Sequence, residues 1–205
     1  MDISRGMITD IKAVVSTPFV REEDPRFSLD GRTIIYKSNG EIWTIDAQNT
    51  AATPKLFYRE EGCELWAPSM FANVVAYVRR CGGDRQSDRI VYHPSVGDRD
   101  ILASAGEGPD RFAHFTATGE LVYSHLDANE NVASLWIYYS GAEPTNLHDE
   151  TQSDDDAFAD RGGSEYIAFS GWGTDAYDLY VYRRSLGNAV RLTAGINVFG
   201  SILFD

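Results

Sequence analysis

The sequence predicts an all-β fold: a five-bladed β-propeller of four-stranded antiparallel blades, its last blade closed by N- and C-terminal strands together. Three observations predict it. A strand-bearing phrase recurs at near-regular spacing, no window sustains a helical period, and the half-repeat at one end complements the half-repeat at the other. Repeats of about 40 residues, each made of several short strands, are the mark of a propeller.

The copies align on an aromatic residue of the second strand: Tyr36, Tyr77, Tyr123, Phe169 and Phe204. Successive anchors lie 41, 46, 46 and 35 residues apart, and 37 residues close the circle from Phe204 back to Tyr36. Each interval opens with an aromatic-bearing first strand, at Arg26-Phe27-Ser28, Trp66-Ala67-Pro68, Arg111-Phe112-Ala113, Ala157-Phe158-Ala159 and Val198-Phe199-Gly200. A tight turn follows, explicit in Asp30-Gly31 and Gly162-Gly163, where glycine supplies the positive φ. Third strands alternate apolar and polar residues, at 41–45, 89–92, 134–139 and 178–182. Shorter fourth strands fall at 54–57, 100–103 and 189–193. Period-two alternation of β-branched and aromatic residues, bounded by Gly, Asp and Asn, is strand chemistry.

The ends fit the same scheme. Residues 197–205 supply two strands of a fifth blade, and 7–11 with 12–16 read as the missing two. Sharing one blade between the termini removes exposed sheet edges at the seam. One domain therefore spans 1–205, with blades at about 18–57, 58–104, 105–147, 148–194, and 195–205 plus 1–17. An open array or a β-sandwich would show similar spacing, but not complementary half-blades.

Composition narrows the function classes. The 205 residues are 43% hydrophobic and 12% aromatic, enough for a packed core. A formal charge of −13 repels nucleic acid and anionic membranes, and leaves cationic ligands, divalent metals or basic partners. The same charge serves solubility alone in many proteins. No apolar run reaches the roughly 18 residues of a membrane span. The start lacks an export signal, so the expectation is a soluble, cytoplasmic monomer with free thiols at Cys63 and Cys81.

Phe27-Ser-Leu-Asp-Gly-Arg-Thr-Ile-Ile-Tyr36 resembles the Phe-Ser-Pro-Asp-Gly-Lys repeat of TolB-type β-propellers. So does Ile167-Ala-Phe-Ser170, followed by Asp178-Leu-Tyr-Val-Tyr182 and Arg191-Leu-Thr193. The likeness covers nearly the whole chain, strongly in the first and fourth blades. TolB carries six blades and a further domain, whereas five intervals fill this sequence. What the resemblance implies is the fold; propellers of this type serve as docking platforms, peptidase companions and carbohydrate-active enzymes.

In a propeller the first strand of each blade lines the central channel. The loop entering it and the loop between second and third strands emerge on one face, where a ligand would gather contacts from every blade. The entering loops are acidic: Glu22-Glu23-Asp24, Glu60-Glu61 with Glu64, Glu107 with Asp110, and Asp154-Asp155-Asp156. Converging carboxylates could hold Ca²⁺, bind an amine, or divide acid and base roles; no other cofactor is evident. Without a counter-ion, mutual repulsion would splay them into solvent instead.

The second set of loops adds the basic cluster Arg79-Arg80-Cys81-Gly82-Gly83-Asp84-Arg85, then His125, and Trp172 between two glycines. Arg80 and Arg111 could fix an anionic group and Trp66 or Trp172 could stack on a ring, although loop arginines more often make surface ion pairs. The candidate ligand-binding residues are Asp24, Glu64, Trp66, Arg80, Arg111 and Trp172. The candidate catalytic residues are Asp110, Asp156 and His125, the histidine as proton carrier. Cys63 and Cys81 fall on the same face of one blade, yet no compact spacing supports zinc with His125. Phosphate-loop, nucleophile-elbow and zinc-helix motifs are lacking. The sequence thus favours a binding or scaffolding propeller that recognises a small molecule, glycan or protein on its acidic face. The other reading is an enzyme acting on a small molecule or glycan through carboxylates at the channel mouth.

Overall fold

The computed structural model describes residues 13–49, 51–94, 100–101, 108–129, 133–149, 165–172 and 177–193. Its strands are short and antiparallel, grouped in consecutive sheets. The first sheet holds β1 (Glu22–Phe27), β2 (Thr33–Ser38), β3 (Glu41–Asp46) and β4 (Lys55–Tyr58) in that order. The second holds β5 (Cys63–Phe71), β6 (Val74–Cys81), β7 (Arg89–His93) and β8 (Asp100–Ile101). The third holds β9 (Asp110–Phe115), β10 (Leu121–Leu126), β11 (Ala133–Tyr138) and β12 (Thr145–Asp149). In the fourth, β13 (Tyr166–Trp172), β14 (Tyr177–Arg183) and β15 (Asn188–Arg191) correspond to second, third and fourth strands. The first strand expected at Ala157-Phe158-Ala159 lies outside the described residues, as does Asp156.

Strand alternation places each blade between two neighbours. In β6, Val75 and Tyr77 pack with Ile35 and Ile42 of the first blade, while Ala76 and Val78 pack with Leu121 and Tyr123 of the third. Val122 and Leu135 turn the other way, towards Ile167 and Phe169 of the fourth. Both faces of a central blade are therefore buried, which is why its strands read as nearly continuous apolar runs. The anchors Tyr36, Tyr77, Tyr123 and Phe169 are all buried. Sheets stacked face to face in sequence order, with their first strands innermost, are the architecture of a β-propeller.

The curvature of the stack shows across its axis. Arg26 in β1 donates from Nη2 to Nε2 of His114 in β9 at 3.2 Å, so the first strands of blades one and three meet. The channel between those strands is spanned at that depth.

A device absent from the sequence reading recurs in three first strands. The pairing of β1, β5 and β9 with their second strands slips between Glu23 and Arg26, between Trp66 and Ser69, and between the partners of Val122 and Ser124. Each slip carries a non-glycine residue at positive φ: Asp24 at 53°, Ala67 at 45° and Phe112 at 54°. Bulges of this kind bend a strand and re-aim its side chains. Pro25 and Pro68 follow two of these positions and, lacking an N–H, suit a gap in the ladder. The register makes Glu23, Trp66 and Arg111 equivalent, and likewise Arg26, Ser69 and His114. The expected alignment of Arg26-Phe27-Ser28 with Trp66-Ala67-Pro68 is therefore displaced in the first blade, because the bulge there precedes the aromatic residue.

The Asp30-Gly31 turn forms as expected, with Gly31 at φ 69° and Asp30 accepting from Ser28 Oγ at 2.7 Å. Residues 13–16, expected as part of a closing strand, form none; the other strands expected for a fifth blade lie outside the described residues.

Two predictions arise from the blade junctions. Gly108, which leads into β9, has φ 135°, and a Cβ there would stand 1.9 Å from the Leu126 carbonyl oxygen. Gly108→Ala is expected to lower stability by at least about 2 kcal/mol in urea unfolding. At Gly82 an added Cβ meets nothing within 4 Å, so the same change there should cost only about 1 kcal/mol for its φ.

Glu120 accepts from Nη1 and Nη2 of Arg184, each at 2.7 Å, joining the third blade to the fourth. Hydrogen bonds from Arg184, and then from Thr116 and Thr118, outweigh burial and hold the Glu120 carboxyl at about 2. A carboxylate with a lowered folded-state pKa stabilises the fold above its ordinary pKa and loses that contribution as pH falls through the lowered value. Stability should therefore drop by about 1–2 kcal/mol between roughly pH 4.5 and 2 on this account, allowing for solvent screening. Glu120→Gln should remove that part of the acid dependence in denaturant titrations at stepped pH.

Candidate site at the channel mouth

The candidate site rests on the mouth ends of strands in three blades. Asp88 is its centre, and sequence reasoning missed it. A 3-10 turn at Arg85–Ser87, capped by the Asp84 side chain, ends at Asp88 and fixes the chain before β7. Asp88 is fully buried, and its carboxylate accepts from Arg80 Nε at 2.7 Å and Arg80 Nη2 at 2.8 Å. Arg111 Nε donates to the same carboxylate at 3.1 Å, from the next blade. The Asp110 N–H also donates to the Asp88 carbonyl at 3.1 Å, so backbone and side chain both join the blades here.

Beside this cluster, Asp110 and His125 sit opposite each other on β9 and β10, both buried. His125 Nδ1 lies 2.8 Å from Asp110 Oδ1. The Trp136 ring approaches the imidazole edge-on at 5.8 Å, and its indole N–H donates to Ser134 Oγ at 2.8 Å. Trp66 lies under the Arg80 guanidinium, 5.4 Å from ring centroid to Cζ, and meets Phe112 edge-on. Its indole N–H is buried without an acceptor.

Among the described residues, Glu23, Glu60 and Glu64 find counter-charges within the protein. Lys37 Nζ lies 2.6 Å from Glu64 and 3.0 Å from Glu23, bridging the first and second blades. Those two carboxylates raise the Lys37 pKa despite its burial, and Lys37 in turn lowers that of Glu23. Glu60 meets Arg79 at 3.4 Å, and Asp24 accepts from the Ala67 N–H at 3.0 Å. A depression of about 510 Å³ opens between these elements, lined by Arg21, Glu23, Lys37, Cys63 and Glu64 with Phe19 at its rim. A larger one, about 660 Å³, lies at the far end of the first blade beside Arg32, Asp46 and Asn49. There Asp46 and Asn49 accept from backbone N–H groups two residues on, which is turn chemistry.

Of the residues singled out by sequence, the structure thus gathers Asp24, Glu64, Trp66, Arg80, Arg111, Asp110 and His125 at one end of three adjoining blades. Trp172 ends β13, paired in register with Tyr177. Arg80 and His125 were expected in loops and stand in strands instead. Their polar ends are satisfied by Asp88 and Asp110, so burial in a sheet does not leave them unpaired.

The free-thiol expectation is overturned. Cys63 and Cys81 are directly opposed on β5 and β6, with Cα atoms 4.1 Å apart, and form a disulfide. Register alone brought them together. His125, whose spacing gave no support for zinc with the cysteines, is engaged by Asp110, and Glu60 is the side chain beside the sulfurs.

No protein-family model matches the chain, and no curated protein matches it by sequence. Solved structures do match in fold. A putative TolB from Agrobacterium tumefaciens superposes with a TM-score of 0.67 at 14% identity, over 90% of this chain and 65% of that one. TolB from Acinetobacter baumannii gives 0.64 at 15%, over 92% and 46%. A chain of the mitotic checkpoint complex gives 0.60 at 15%, over 88% and 55%. The protein is a β-propeller resembling that of TolB, and it spans less than two thirds of either TolB chain. Among the described residues no helix is long and apolar enough to cross a membrane.

Proposed function

We propose that this propeller is a binding module that takes a ligand or protein partner at its channel mouth. The observation carrying this reading is the Arg80–Asp88–Arg111 cluster. It ties two blades together in one fixed arrangement beside the depression at Glu23, Lys37 and Glu64. A surface held this way loses little freedom when a partner docks. The Arg80 fork is engaged by Asp88, so its role is to hold the face in shape rather than to grip a substrate anion. The similar fold in a mitotic checkpoint complex is compatible with docking to another protein. The disulfide supports an oxidising compartment rather than the cytoplasm.

A second reading, an enzyme acting on a small molecule or glycan, is favoured by one feature. The buried Asp110 carboxylate orients the His125 imidazole through Nδ1, as a general base requires. A thermal-shift screen with divalent metals including Ca²⁺, with sugars and with small metabolites separates the readings. A ligand present at one hundred times its Kd should add about 2.7 kcal/mol of stability. A hit that is turned over, with turnover lost in His125→Ala, would favour the enzyme and sink the docking reading. A hit that is bound unchanged supports a ligand-binding module, and no shift from any class supports a protein partner.

A further inference from the structure

The disulfide at the mouth has a second chemical state within reach. Glu60 Oε1 lies 3.7 Å from Cys63 Sγ, and one ligand atom from each of Glu60, Cys63 and Cys81 falls within 4.8 Å of the others. Zinc binds thiolate at about 2.3 Å and carboxylate at about 2.0–2.2 Å, so a tetrahedral ion holds two sulfurs about 3.8 Å apart. Opposed residues on paired strands reach that separation by side-chain rotation alone, since their Cα atoms are already 4.1 Å apart.

Charge and access agree with this geometry. Two thiolates and a carboxylate carry three negative charges, a divalent cation removes two, and Arg79 Nη1, 3.4 Å from Glu60, supplies the remaining positive charge. Cys63 lines the open depression at the mouth, which gives an ion and a reductant a way in.

We propose that Cys63, Cys81 and Glu60 form a redox-gated site for a thiophilic divalent cation, Zn²⁺, closed as the disulfide and open when reduced. A dithiol reductant delivers two electrons and two protons: the Cys63–Cys81 S–S bond breaks, two thiols form, and the reductant leaves as its own disulfide. Zn²⁺ then displaces the two thiol protons, forms two Zn–S bonds and one Zn–O bond to Glu60, and takes water in its fourth position. Three protein ligands and one open position make a site that exchanges its metal or accepts an outside ligand, unlike a closed structural one.

The test compares the intact protein in both redox states, each confirmed folded by its β-sheet circular dichroism. Protein reduced with a dithiol and desalted without oxygen is titrated with Zn²⁺ against a chromophoric chelator, and with Co²⁺ to read thiolate-to-metal charge transfer. The expected result is one equivalent bound by the reduced protein and none by the disulfide form. Glu60→Gln, which leaves both cysteines in place, should weaken binding at least about 10-fold, and Cys63→Ser should abolish the charge-transfer band. Equal uptake by the two states, unchanged affinity in Glu60→Gln, or a cobalt spectrum without thiolate bands would overturn the proposal.

Discussion

Asp88→Ala is expected to destabilise the protein by about 3–5 kcal/mol, the range for removing one partner of a buried ion pair. The fully buried carboxylate is shared by two guanidinium groups, and the Arg111 side chain is only 3% exposed. Without Asp88, both cations lose this counter-charge, and at Arg111 water cannot replace it. The reading is the urea midpoint at constant m-value. Glu64→Ala is the comparison, since its carboxylate is 44% exposed and an exposed pair contributes about 1 kcal/mol or less. A loss below about 1 kcal/mol for Asp88→Ala would place its ion pairs in the surface class. The mouth would then not be a locked face.

Reducing the disulfide is the second large effect. Its cysteines are 18 residues apart in sequence, and a loop of that size is worth about 3 kcal/mol through the unfolded state. Denaturant unfolding with and without a dithiol should differ by about that amount, with the reduced protein still folded in buffer. Cys63→Ser should match the reduced wild-type protein, and a dithiol should then have no further effect. If reduction leaves the midpoint unchanged, the cross-link either is absent in solution or joins strands that stay paired in the unfolded chain.

The sequence disclosed the second and third strands because both faces of each blade are buried, so Ile35-Tyr36 and Ala76-Tyr77-Val78 read as strand whichever way they point. It disclosed the first strands less well. A bulge at Asp24, Ala67 or Phe112 breaks the two-residue period, so the alternation that sets register elsewhere gives the wrong alignment in the first blade. Polar strand ends were hidden for a related reason. Arg80 and His125 look like loop residues until Asp88 and Asp110 are known to satisfy them. Asp88 itself stands in a polar stretch, Asp84-Arg-Gln-Ser-Asp88, and its burial follows only from two arginines far apart in sequence. The nearness of Glu23, Asp24 and Glu64 was legible from repeat phase, while Glu107 and Asp154-Asp155-Asp156 lie outside the described residues. The neutralisation of Glu23 and Glu64 was not, because Lys37 belongs to a second strand and to neither set of mouth loops. The cysteines were placed together correctly, and the error lay in inferring their redox state from an assumed compartment.

Everything assigned to the mouth depends on the blades surrounding one axis, with β1 and β9 facing each other across it. Cysteines replacing Arg26 and His114, in a Cys63→Ser, Cys81→Ser background, test this with a short bis-maleimide cross-linker. The account predicts an intramolecular cross-link in native buffer, recovered as a peptide joining β1 to β9, that vanishes in urea. Two cysteines that label independently in the folded protein, with no β1–β9 peptide, would contradict it.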